Sequence, residues 1–212
     1  MAYSDFDTAL TEASIIETEL VSIEKLQQEV LELRIYKHAF EAQALIVHDL
    51  VSMYQVSTGR ILLKTMLRRG SQLMTQLTGA EECSWFLFSA DGKVSESLLA
   101  RGATLQEDKD SLIGKVLDTG LAGWVFRQKK PGVIVDTRMD ERWVNLPYQP
   151  YQAGSALCVP LTRGNSMVGM ITLTHSEPNH FTPTIARTLE LCSVPLALIF
   201  YQAKVKVDSQ LK

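Results

Sequence analysis

From Thr119 to His175 the chain sets out its elements in an order that few folds accommodate. A glycine-punctuated helix, TGLAGWVFRQ (Leu121–Gln128 at its centre), leads through Pro131-Gly132 into a short strand, Val133–Val135. An irregular stretch rich in Asp, Arg and aromatics follows, Arg138–Gly154. Two strands come next, Ala156–Leu161 and Met167–Thr174, joined by Arg163-Gly164-Asn165. Glycine and asparagine between two β-rich runs mark a tight hairpin turn. Upstream, SWFLFSA (Ser84–Ala90) and Val94–Ala100 flank Asp91-Gly92 and read as another hairpin. Hairpins make antiparallel pairs, so the expectation is an α+β fold with a central antiparallel sheet and helices on both faces.

The helices supply the rest of the plan. Residues 12–50 contain no Pro and no Gly and are filled with Glu, Gln, Leu, Ile and Val, which is strong helix composition. Read in heptads, Ile16, Ile23, Leu26, Val30, Leu33 and Phe40 take a and d positions, with Glu19 and Lys37 interrupting. That is a seam for pairing with a second copy; the alternative is an amphipathic helix folded back on its own domain. Ser57-Thr58-Gly59 breaks the run, and Arg60–Leu77 forms a second helix whose apolar residues recur at three- and four-residue steps. A short helix opens near Asp110 or Ser111 and runs through Val116. The last helix, Phe181–Lys204, starts near Thr182 with Pro183 in its first turn. Pro195 lies inside it and is expected to kink it or split it in two.

Composition excludes several classes. The N-terminus, MAYSDFDTAL, lacks a basic region and an apolar core, so no secretory signal is read, and no apolar run approaches the length of a membrane span. Residues 1–50 carry a net charge of −7 and residues 51–212 a net charge of +4. An acidic arm does not grip nucleic acid or an anionic membrane. Cys83, Cys158 and Cys192 are odd in number and far apart, which reads as reduced, packed thiols in a cytoplasmic protein. No histidine or cysteine pair has metal-ligand spacing, and nothing resembles a nucleophile with its base.

The ordered set Gly120-x-x-Gly123, Val125, Pro131–Asp136, Val159-Pro160-Leu161 and Gly169, with LLARG (Leu98–Gly102) upstream, resembles the GAF domain family over roughly residues 58–203. The wording DERW, LPYQPY and ITLTH is similar to GAF domains of cyanobacterial regulators. The resemblance implies a GAF/PAS-like fold behind a long, coiled-coil-like N-terminal helix. It divides the chain into a dimerisation arm (1–50), a sensor domain (51–205) and a tail (206–212). It also implies a ligand held between the sheet and the irregular loop, and a non-catalytic signalling role. Bilin-carrying GAF domains place the attachment Cys before a His. Here Val159 follows Cys158, so no covalent bilin is expected; no haem is expected either, since His175 and His180 read as solvent-facing or capping residues. The cyclic-GMP-type motif, Asn-Lys-x-Phe followed by Asp-Glu, is reduced to Asn179-His180-Phe181, one residue short and without the acids.

Asp136–Trp143, DTRMDERW, is the candidate ligand loop. Arg138 and Arg142 offer forks for phosphate or carboxylate, and Trp143, Tyr148 and Tyr151 offer faces for a flat ring. The plainer account is that Asp136 and Asp140 pair with these arginines and fix the loop. Trp124 is placed in the pocket wall or in ordinary core, and Arg101 at the pocket or in water. Thr172 and Thr174 face the pocket if Ile171 and Leu173 face the helices. The expected function is a dimeric sensor of a small anionic, nucleotide-like ligand, best a cyclic dinucleotide or another cyclic nucleotide. It would signal to a separate downstream protein, without direct contact to nucleic acid or membrane. The alternative is a ligand-free interaction scaffold whose pocket its own aromatics close.

Overall fold

The two hairpins join into one sheet. A computed structural model of the chain describes residues 2–56, 59–100, 106–145 and 152–210. Strand β1 (Glu82–Phe88) pairs with β2 (Val94–Leu98) and with β5 (Ser166–His175). Strand β5 pairs with β4 (Ser155–Arg163), and β4 with β3 (Gly132–Ile134). The order is β2-β1-β5-β4-β3 and every pair is antiparallel, as the turns predict.

Side-chain alternation sorts the sheet into two cores. Trp85, Leu87, Leu157, Val159, Leu161, Ile171 and Leu173 pack against α2 (Gly59–Thr78), α5 (Pro183–Gln210) and the second part of α1 (Ala2–Val56). Phe86, Phe88, Ala156, Cys158 and Met170 face the other way, against α3 (Gln106–Thr119) and α4 (Leu121–Gln128). Trp85 anchors the first core. Its Nε1 donates to Ser71 Oγ at 2.8 Å, and its ring lies where a Cβ on Gly70 would stand, 2.9 Å from Cζ2. A glycine in mid-helix lowers helix propensity, but here it lets the indole lie against the α2 backbone.

Three expectations change. Pro195 does not split the last helix, which is one element from Pro183 to Gln210. A proline removes the N–H that would serve the carbonyl four residues back, that of Leu191. Gln43 Nε2 on α1 donates to this carbonyl at 2.8 Å, so the orphaned acceptor is satisfied from another helix. The expected division at residue 50 also moves. The compact units are Met1–His38 and Ala39–Lys212, because Ala39, Ile46 and Leu50 on α1 are buried in the second unit. The expected tail likewise remains helical to Gln210, with Val207 buried.

Helix α5 is long and apolar enough to cross a membrane by length and composition. This departs from the sequence expectation. Its apolar residues include Leu189, Cys192, Leu196 and Phe200, all fully buried in the core on the α2–α5 side, so core packing accounts for part of the composition.

Candidate functional site

The α3–α4 face of the sheet holds a cavity. Ser84 and Phe86 come from β1, and Thr172 and Thr174 from β5. Ser84 lies opposite Thr172 in the strand register, so their hydroxyls share one face. Val116 on α3 and Gly120–Ala122 at the start of α4 form the opposite wall, and Arg142–Val144 cross as a strap. The lining is mostly apolar with a few polar groups, the usual make-up of a small-molecule site. Its volume is about 80 Å³.

Two hydroxyls have partners. Ser84 Oγ accepts from the Ala100 backbone N–H at 3.1 Å, and Thr172 Oγ1 donates to Cys158 Sγ at 3.3 Å. Thr174 Oγ1 has none. Its residue is 5 % exposed, and the hydroxyl is buried without a hydrogen bond among the described residues. Such a group carries an uncompensated desolvation cost and marks a place where a ligand or water atom belongs.

The Asp–Arg loop is built from one motif used twice. Asp136 Oδ1 accepts the Arg138 backbone N–H at 3.0 Å and Nε at 2.9 Å, while Oδ2 takes Nη2 at 2.6 Å. Asp140 holds Arg142 in the same way, at 2.9, 2.9 and 2.6 Å. The surroundings of the two pairs differ. The Arg138 side chain is 75 % exposed and stands away from the cavity. The Arg142 side chain is 30 % exposed, lines the cavity, donates from Nη2 to Val133 O at 2.9 Å and lies 5.0 Å over the Trp124 ring. Its Nη1 has no hydrogen-bond partner among the described residues.

Thus Arg142, Trp143 and Thr172 meet at the cavity, whereas Asp136 and Arg138 do not. Trp124 sits beneath Arg142 and packs with the second core instead of lining the cavity. Arg101, Tyr148 and Tyr151 lie outside the described residues. Ser84 and Phe86 are lining residues that the sequence reading did not single out. The period-two register with Thr172 was the available signal.

The guanidinium of Arg138 holds the Asp136 carboxyl down to about 2, and that of Arg142 lowers Asp140. A carboxyl depressed on folding contributes its stability above the unfolded value and loses it as pH falls through the folded one. The Asp136 pair should therefore stay intact from neutral pH down to about 4 and open only toward about 2. A carboxyl-carbon NMR titration should show that low midpoint. A midpoint near 3.8 would mean that no pair forms in solution.

The sequence matches the GAF domain family over residues 62–200. The chain belongs to that family. Solved GAF domains share the fold. One, from a Coxiella burnetii phosphoenolpyruvate-protein phosphotransferase, is 16 % identical with a TM-score of 0.56, covering 78 % of this chain and 96 % of its own. The GAF domain of the Acinetobacter phosphoenolpyruvate-protein phosphotransferase gives 16 %, 0.54, 78 % and 94 %. A free methionine-R-sulfoxide reductase from Neisseria meningitidis, solved with its substrate, gives 14 %, 0.54, 77 % and 90 %. No curated protein matches the chain.

Within this GAF domain the Asn179-His180-Phe181 segment closes the structure instead of facing the cavity. Asn179 N donates to Val135 O at 2.7 Å, His180 Nε2 meets Thr78 O at 2.9 Å, and Phe181 is buried.

Proposed function

We propose that this GAF domain is a non-catalytic cytoplasmic sensor. It binds a small anionic ligand under the Arg142–Val144 strap and acts as a dimer on a separate partner protein. The observation that carries the reading is the orphan Thr174 hydroxyl in an apolar cavity rimmed by Arg142. A carboxylate would take Arg142 Nη1 while a second polar atom takes Thr174. Ligand binding would bias the strap between two positions, and α1 and α5 would pass the shift outward.

Size favours a compact ligand. A cavity of about 80 Å³ lies well below the roughly 300–1,000 Å³ of drug-sized sites. A short 2-oxo or hydroxy acid suits that volume. A cyclic dinucleotide, the larger candidate from the arginine and aromatic pattern, would require the strap to swing away.

Chemistry at the thiols supports a non-catalytic role. Burial pushes Cys83 and Cys158 up to about 12 and Cys192 to about 11. At neutral pH none of the three is the thiolate that a sulfoxide-reducing nucleophile would need. A second reading, a ligand-free scaffold, draws on Trp143, which already occupies part of the lining.

The test is a melting and calorimetry panel of short 2-oxo and hydroxy acids, cyclic mononucleotides, cyclic dinucleotides and free nucleotides. Arg142→Ala should cost a binder about 1.5–3 kcal/mol, the range for a lost charged hydrogen bond. Thr174→Val removes the orphan hydroxyl, so it should raise the stability of the free protein while weakening the ligand. If no anion in the panel shifts the melting temperature, the sensor reading fails and the scaffold reading replaces it.

A further inference from the structure

The larger recess of this domain is elsewhere. It lies at the end of the sheet, where the β1–β2 and β4–β5 turns meet the C-terminal ends of α4 and α5, and its volume is about 750 Å³. That falls within the roughly 300–1,000 Å³ of ligand sites, unlike the cavity under Arg142. Aromatic side chains take part in its lining. The Phe88 and Phe126 rings sit 4.8 Å apart, and Tyr201 lines the recess as well.

Three cations line it. Arg163 Cζ lies over the Tyr201 ring, 3.8 Å from its centroid, and the side chain makes no hydrogen bond or ion pair among the described residues. Among the described residues all five N–H groups and the guanidinium face turned away from Tyr201 are therefore without a partner. Lys204 Nζ donates to Phe88 O at 2.5 Å, and Lys129 Nζ to Asn165 O at 2.7 Å. Each ammonium uses one of three donors on a carbonyl, which fixes its place without cancelling its charge. Lys129 caps α4 in the left-handed conformation, φ 53°, a backbone state that disfavours side chains other than Gly, Asn or Asp. Against these stand Asp208 in the lining and Asp91 on the adjacent turn, the latter paired with Lys93.

We propose that this groove is a second binding site, for a phosphate-bearing aromatic molecule of nucleotide size. The phosphate would sit between Lys129 and Lys204, and the ring would stack on the open face of Arg163. Desolvation lowers Lys204 from the usual lysine range, against the pull of Asp208 and Asp91. A bound phosphate would reverse that shift by favouring the charged form.

The experiment is calorimetry on the full-length protein with GMP and ATP, alongside adenosine, which lacks the phosphate, and ribose 5-phosphate, which lacks the ring. The site predicts saturable nucleotide binding, with both partial probes weaker by at least about tenfold. Arg163→Ala and, separately, Arg163→Gln should each lower nucleotide affinity by about tenfold or more. Arg138→Ala should leave it unchanged, since that side chain is solvent-exposed and lines neither recess. Far-UV circular dichroism of each variant shows that the fold is kept. The proposal is overturned if neither nucleotide saturates by about 1 mM. Nucleotide binding that survives both Arg163 variants would also overturn it. So would adenosine binding as tightly as ATP, because the cations would then play no part.

Discussion

Gly123→Ala should lower the melting temperature by roughly 6–12 °C, while Gly114→Ala, one helix earlier, should raise it slightly. The same methyl group meets opposite surroundings. A Cβ on Gly123 would stand 1.8 Å from the carbonyl oxygen of Leu117 and 2.5 Å from its carbon. Both are backbone atoms at the end of α3, and the oxygen also accepts from Arg127 Nη1 at 3.2 Å. No side-chain rotation relieves that contact, so α4 has to back away from α3. The cost belongs at or above the top of the range for overpacking, about 3 kcal/mol. A Cβ on Gly114 meets nothing within 4 Å, so only the gain in helix propensity remains. The displaced segment, Gly120–Ala122, is a wall of the cavity, so in a Gly123→Ala protein that stays folded the proposed anion binding there should weaken. Equal melting temperatures for the two variants would show that the glycine pair does not set the α3–α4 approach.

These residues also show where sequence reasoning ends. Alternation and turn chemistry are local, so the hairpins, the two sheet faces and the placing of Thr172 beside Thr174 could be read directly from the chain. Gly120-x-x-Gly123 was equally visible but open to two accounts, anion binding or close packing. Only the distance to Leu117 O favours packing. The DTRMDERW loop was ambiguous for a related reason. An Asp two residues before an Arg suits both a ligand fork and a self-contained ring, and the spacing is the same for each. In the structure both arginines close on their own aspartates. Only the difference in exposure separates Arg142, on the cavity, from Arg138, in solvent. The continuity of α5 through Pro195 could not be read locally, since its remedy, Gln43, lies 148 residues from Leu191 in the chain. The two faces of α1 interfered in the same way. Ala39, Ile46 and Leu50 point inward while Phe40 and Val47 point out, so a seam and a packing face overlap in one stretch of sequence.

The outward face of α1 leads to the other large effect. Full-length protein should scatter light as twice 23.7 kDa, and Leu26→Lys with Leu33→Lys should return it toward the single-chain mass. Ile23, Leu26, Val30 and Leu33 are each about half exposed or more, and Phe40, at the same heptad spacing, is 72 % exposed. The side chain of Ile16 lies outside the described residues. A row of large apolar side chains at a and d spacing is an arrangement that soluble monomers rarely leave uncovered. Pairing two copies would bury four leucines at positions 26 and 33. At about 1.5–3 kcal/mol for each leucine, the double lysine variant should lose roughly 6 kcal/mol of association or more. That is about four decades in the dissociation constant. Removal of residues 1–38, which leaves the buried Ala39, Ile46 and Leu50 in place, separates this seam from a second route. Helix α5 also carries exposed Val194, Leu198 and Val205, spaced for one side of a helix. A truncated protein that is still fully dimeric would assign pairing to the GAF unit, and a full-length monomer at ordinary assay concentrations would exclude the seam altogether.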